Sequence, residues 1–217
     1  MTWMQTRKGR RWDLLNPRAS DVDFDEIAHS LSVLPRFLGH TIGTNPYSVA
    51  EHCVHVHDLL LAVGSQPWVC FWGLLHDAHE AYIGDFTAPV KSALVVAAEE
   101  LGQAGDGRIV AQALKGLAMI QDVPIFDAAG LTDLRKNQHP KNVTAARNLV
   151  KWADTHLLAA ERNARMSTPP EPWPVDVEVS EPHASITVGD WTAEEAREAW
   201  LMRFRAHQDI KAQEAVA

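Results

Sequence analysis

The chain has 217 residues, 46% of them apolar and eight of them tryptophan, which is enough for one domain with a sizeable core and too apolar for a disordered protein. Its formal net charge of −8, with no basic patch larger than residues 7–11, argues against a protein built for non-specific nucleic-acid binding. Cys53 and Cys70 both sit in apolar helical patterns, read as small core residues and give no disulfide framework. The opening residues lack the apolar centre of a signal peptide and no apolar run approaches a membrane span, so the expectation is a cytoplasmic protein with no membrane partner.

Residues 1–19 are polar and aromatic and end in an Asn16-Pro17 turn signal. Asp23 is placed to cap a helix whose acidic first turn, Asp25 and Glu26, suits the helix dipole, and Pro35 ends it. A loop rich in functional side chains follows from Arg36. Ser48 and Glu51 have capping-box spacing and open a helix over 48–63. Pro67 is suited to the first position of the next helix, which the pattern carries through about Tyr82 to Gly84. A further helix is predicted from Thr87 or Ala88 to about Leu101, another over 108–121, and mostly loop over 122–141. A long helix over 142–166, capped by Asn142 or Thr144, precedes a Pro-rich connector. Residues 176–188 alternate apolar and polar, which fits a short extended pair at most. A last helix starts at Thr192, with Glu195 completing a capping box, and runs to about His207. The prediction is a single all-α domain, with a helical core of about 20–166 and a small Pro-rich, extended C-terminal extension and terminal helix over 167–217.

His76, Asp77, His79 and Glu80 interrupt the apolar run Val69, Phe71, Trp72, Leu74 and Leu75. Residues three or four apart on a helix are neighbours, so an imidazole and two carboxylates gather on a buried element. Buried charges need partners or a metal; a core network with arginines is the plainer alternative. Two His-Asp dipeptides occur, His57-Asp58 and His76-Asp77. His52 shares the apolar stripe of Val56, Leu59 and Val63, whereas Asp58 lies roughly 120° round the helix. His52 is therefore expected to face inward and His57-Asp58 to be solvated, with His55 one turn from His52. On the long helix, Asp154 falls on the stripe of Val143, Val150 and Leu157, where a salt bridge to a buried arginine is the alternative to ligation. Together His52, His76, Asp77 and Asp154 offer two nitrogens and two carboxylates from three helices. Such a set suits Mn, Fe, Co or Mg better than a structural zinc cage.

This ordered series resembles the His…His-Asp…Asp signature of the HD-domain metal-dependent phosphohydrolases. It is most similar to the 5′-deoxynucleotidase branch and its phage relatives, which include dATP triphosphohydrolases. The segments that carry the resemblance are Arg36-Phe37, Tyr47-Ser48-Val49-Ala50-Glu51-His52, Leu75-His76-Asp77-Ala78-His79-Glu80-Ala81, Gly84-Asp85, Ala88-Pro89-Val90-Lys91 and Ala153-Asp154. The resemblance implies an HD-domain-like helical bundle in which His52, His76, Asp77 and Asp154 hold one divalent metal ion, Mn, Co, Mg or Fe, with Zn a further candidate. It implies that Glu80, together with Asp77, carries the catalysis, with Glu80 as acid/base. Arg36 and Lys91 would grip phosphate oxygens and Asp85 would face the sugar. Phe37 stands where that branch has Trp, which alters the sugar or base contact. His79 stands where a small residue is usual, as pocket wall or as a partner to the ligands. The loop 125–141 has no clear counterpart; a solvated loop is the plainer reading, and lining the base pocket or covering an oligomer surface are the alternatives. Arg10, Arg11 and Trp12 either reach a nucleotide or sit on the surface.

The implied activity is hydrolysis of the 5′ phosphoester of 2′-deoxynucleotides, mono- or triphosphate. Alternatives are an HD-type phosphodiesterase or nuclease acting on nucleic acid or cyclic nucleotides, and a non-catalytic nucleotide-binding helical protein. The implied partners are a small-molecule nucleotide and further copies of the chain in a homo-oligomer, without a stable nucleic-acid complex. The compartment would be the bacterial cytoplasm, or the host's if the protein is phage-encoded. The helix phasing predicts that His76→Ala abolishes nucleotide hydrolysis while His57→Ala leaves it near wild type; the reverse in an activity assay would mean the phase is wrong.

Overall fold

The helical part of the chain starts where the sequence signals place it. The structure, a computed structural model, describes residues 1–131, 143–179, 181, 183 and 185–214. Helix α1 (Phe24–Val33) opens on the Asp23 carboxylate, which accepts the N–H groups of Asp25 and Glu26. Helix α2 (Val49–Ala62) opens on Ser48, whose Oγ accepts the Glu51 N–H at 3.2 Å. Helix α3 (Pro67–Leu75) has its proline in the first turn. A one-turn helix α4 (Glu80–Ile83), then α5 (Ala88–Leu101), α6 (Asp106–Ala128), α7 (Val143–Arg165), a short α8 (Pro174–Glu178) and α9 (Ala193–Glu214) follow. At the start of α9 the box closes both ways: the Thr192 N–H donates to Glu195 Oε2 and the Glu195 N–H to Thr192 Oγ1. The fold is all-α.

Helix α2 lies at the centre, packed against α1, α3, α7 and α9. Its residues 49–54 are all buried, because neighbours cover it on several sides. The largest core joins Ile27, Leu31, Val54, Phe71 and Leu74 to Trp200 and Leu201 of α9. The C-terminal helix is thus built into the core. A second core sets Ala146, Val150, Ala153 and Leu157 of α7 against Val56, Leu60 and Val69. At the α2–α3 crossing a Cβ on Gly73 would collide with Leu60 Cδ1 and come within 3.2 Å of Val56 Cγ1, so any larger residue there would require Leu60 to move. Both cysteines are free and buried, as expected.

Several local expectations are corrected. Residues 1–19 contain an antiparallel hairpin, β1 (Trp3–Gln5) and β2 (Arg11–Asp13), with Met4 opposite Trp12. Trp12 is core: it stacks on Tyr82 at 3.8 Å and donates its Nε1–H to Gln121 Oε1 at 2.7 Å. Arg10 is spent on Glu26 and Asp23. The helix expected over 68–82 is broken at 76–79, where Ala78 N–H bonds to Leu75 O and Glu80 N–H to Asp77 O, three residues back. Where loop was expected after residue 121, α6 continues through Pro124 to Ala128, and residues 132–142 lie outside the described residues, Asn142 among them. Thr144 is inside α7 and does not cap it. The extended pair over 176–188 is replaced at its start by α8, with no strand among the described residues there.

Helix α6 is long and apolar enough to cross a membrane by length and composition, unlike the sequence expectation. It is tied to the domain by buried Gln121, whose Nε2 donates to Leu14 O at 2.7 Å while its Oε1 accepts from Trp12.

His57, expected in solvent, is buried under α9. Its Nδ1 meets Asp58 at 2.8 Å and its Nε2 lies 3.0 Å from His207 Nε2, while Arg203 Nε grips Asp58 at 2.7 Å. The phase of α2 places His57 away from His52, and α9 fills the space that solvent was expected to occupy. Burial, then His57 and Lys211, push His207 down to about 4. The unfolded ring takes up its proton first, so this stabilisation is complete above about pH 6.5 and fades as pH falls towards 4. Urea midpoints should therefore fall between pH 7 and pH 5 in the wild type and change less in His207→Phe. Truncating the anchor, Trp200→Ala, should cost about 3–5 kcal/mol in the same measurement.

Candidate metal centre

His52 (α2), His76 and Asp77 (just after α3) and Asp154 (α7) converge at one end of the α2–α3–α7 packing. The Nε2 atoms of His52 and His76 are 3.3 Å apart. Asp77 Oδ2 lies 3.1 Å from His76 Nε2 and 3.5 Å from His52 Nε2, and Asp154 Oδ1 lies 3.5 Å from His52 Nε2. Ligands about 2.1 Å from one ion at tetrahedral or octahedral angles are about 3.0–3.5 Å apart, so these spacings fit a shared cation. His52, His76 and Asp154 form one group with donor atoms mutually within 4.8 Å.

The far nitrogens support the same reading. His52 Nδ1 donates to Glu161 Oε1 at 2.7 Å and His76 Nδ1 donates to the Gly73 carbonyl at 2.7 Å. With Nδ1 committed in this way, Nε2 is the ring atom that faces the cluster in each case, the orientation of a metal-bound histidine. The His76 bond falls where the helix breaks. In an unbroken helix the Gly73 carbonyl would take the Asp77 N–H; here the imidazole occupies it. Burial works to raise Asp77, but His76 and then His52 outweigh it and hold the carboxyl well below its ordinary range.

Glu161 was not anticipated. It is fully buried and accepts from His52, from the Tyr47 hydroxyl at 2.8 Å and from Arg36 Nε at 3.1 Å. Burial opposes its ionisation, yet Arg36 and then His52 bring it down to about 2. The missed signal was spacing: Glu161 follows Asp154 by two helical turns on the same face. Arg36 is held on Glu161, its Nη1 3.9 Å from Asp77 Oδ2, so it does stand beside the cluster. Phe37, next to it, takes a left-handed φ of 53°, as does Leu38 at 56°, and packs near Trp173 at 6.0 Å between ring centroids.

Glu80 is buried, and its Oε2 finds no hydrogen-bond partner among the described residues. Burial, then Asp77 and Asp85, raise it to about 9. Asp85 is half-buried and likewise raised, chiefly by burial. His79 Nδ1 donates to Asp122 Oδ1 at 3.0 Å; Asp122 is a second unanticipated member, carried by the part of α6 that was read as loop. Beyond His79 and Glu80 opens a cleft of about 590 Å³ between α5 and α6, walled by Ile83, Phe86, Val95 and Leu114, with exposed Lys91 also on its lining. His55, one turn from His52, is turned away towards Tyr47 and Trp191 and 3.5 Å from Glu51.

No protein-family model matches the chain. Over 95 residues it is 40% identical to an uncharacterised protein of Rhodobacter capsulatus, covering 42% of this chain and 48% of that one. Over 94 residues it is 35% identical to the uncharacterised Escherichia coli protein YfdR, covering 43% of this chain and 49% of that one. The chain thus spans about half the length of these curated relatives.

Glu161→Gln should remove the charge behind His52 without changing shape. Calorimetric titration with Mn²⁺ or Co²⁺ should show affinity about 10–100-fold weaker at unchanged helix content; equal affinity would disconnect Glu161 from the centre.

Proposed function

We propose that the chain is a metal-dependent phosphohydrolase that cleaves the 5′ phosphoester of 2′-deoxynucleotides, releasing phosphate from a monophosphate or triphosphate from a dNTP. The observation that carries this reading is the convergence of His52, His76, Asp77 and Asp154, with both imidazoles anchored through Nδ1. These four residues would hold one divalent ion, which supplies polarisation of a phosphoryl oxygen and a lowered pKa for bound water. The resemblance of the ordered motifs to the 5′-deoxynucleotidase branch of the HD-domain enzymes supports the substrate class.

The other side chains have roles that follow from their positions. Arg36 keeps its guanidinium at the cluster because Glu161 holds it there; the donors not used on Glu161 serve phosphate oxygens. Lys91, exposed in the first turn of α5, adds a second cation on the cleft side. Glu80, kept protonated by its surroundings, can hand its proton to the 5′ oxygen as water adds to phosphorus and the P–O5′ bond breaks. Asp85, at the turn before α5, faces the sugar, and Phe37 borders the same loop as Arg36.

A panel of dNMPs, NMPs and dNTPs assayed with Mn²⁺ or Co²⁺, read for phosphate against triphosphate, should show turnover of deoxynucleotides that Asp77→Ala abolishes together with metal binding. No turnover on any nucleotide overturns the reading.

A further inference from the structure

We propose that the cleft between α5 and α6 holds the nucleobase of the substrate and that Lys115, on its wall, selects guanine. The proposal rests on the nucleotide reading above and adds the part of the substrate that the metal centre does not touch. The cleft is continuous with that centre, because His79 and Glu80 group with Asp77 and also line the cleft. With Glu80 at the breaking P–O5′ bond, the departing nucleoside lies on the Glu80 side, and the cleft is the space that opens there. Its volume of about 590 Å³ falls among small-ligand pockets, which run to about 300–1,000 Å³.

The walls suit a flat heterocycle with a polar edge. Ile83, Phe86, Val95 and Leu114 offer apolar surface to the two faces of a base. Past the metal end, the polar side chains on the lining are Lys91, Ser92 and Lys115. Lys91 serves phosphate in the reading above. The Ser92 hydroxyl can give or take a hydrogen bond, so it tolerates any base. Lys115 is exposed and has no ion-pair partner among the described residues, which leaves its ammonium free for a ligand. It stands seven positions before Asp122, the partner of His79, on the same face of α6 and about 10 Å away along the axis. That rise is comparable to the span of a nucleoside from O5′ to the edge of its base.

The chemistry of the ammonium sets the choice of base. It donates hydrogen bonds and accepts none. Guanine turns two adjacent acceptors, O6 and N7, towards such a group. Adenine puts an amino donor in place of O6, which would meet Lys115 unpaired, and cytosine likewise presents an amino group. Thymine offers a single carbonyl on that edge and no N7. No carboxylate other than Glu80, at the metal end, lines the cleft to favour an amino group instead.

Initial rates with Mn²⁺ on the mono- and triphosphates of the four deoxynucleosides, for wild type and Lys115→Met, test this. In the wild type kcat/KM should be about 10–100-fold higher for each guanine nucleotide than for its adenine counterpart. Lys115→Met should bring that ratio close to one, through KM, at unchanged Mn²⁺ affinity. Calorimetric titration with dGMP and dAMP makes the same comparison without turnover. Turnover without a guanine preference, or with a preference that Lys115→Met keeps, overturns the role of Lys115 and leaves the phosphohydrolase standing. Guanine-selective binding that needs Lys115, without turnover of any nucleotide, overturns the phosphohydrolase and supports the base site. Neither turnover nor selective binding overturns both.

Discussion

The bond from His52 Nδ1 to Glu161, buried from solvent at both ends, is the constraint on which the rest of the site depends. A carboxylate without exposure survives in a protein interior only when its oxygens are matched by donors. Glu161 has three, from α2, from the loop after α1 and from the residue before Ser48. Removing one partner of such a network costs about 3–5 kcal/mol, because the remaining charge is left unpaired. One side chain on α7 therefore orients the His52 imidazole, holds the Arg36 guanidinium near Asp77 and ties three segments together.

Two departures from regular backbone serve the same corner. The carbonyl of Gly73 is given to the His76 ring, and the helix ends there, turning Asp77, His79 and Glu80 through a tight i-to-i−3 segment. After Arg36, two consecutive non-glycine residues take left-handed φ values, at about 1–2 kcal/mol each. That loop is held by the Arg36 N–H to Tyr47 O bond at 2.8 Å and by the bridge between Pro35 and Ser48. Strain that persists because its surroundings fix it is typical of positions where a side chain must be aimed.

Much of this was legible because it is local. Asp23, Ser48, Pro67 and Thr192 mark helix starts by chemistry that acts within one turn, and each begins its helix where expected. The inward phase of His52 followed from its stripe, and Asp154 from its place among apolar neighbours. What could not be read depends on distant partners. The break at His76 coincides with a ring bonded to the Gly73 carbonyl, a contact that no local pattern announces. Trp12 became core only because Tyr82 and Gln121 come from far along the chain to meet it. His57 was assigned to solvent because nothing local announces that α9 will cover it. Glu161 had a usable signal, its spacing from Asp154, but a buried glutamate is rare enough to be passed over.

The central claim is that one cation can touch both imidazoles. Crystals grown with Co²⁺ and measured at the cobalt absorption edge test it directly. An anomalous peak about 2.1 Å from Nε2 of both His52 and His76, with oxygens of Asp77 and Asp154 in its shell, is the predicted result. An anomalous map without a peak between those two rings, in protein saturated with Co²⁺, would contradict it.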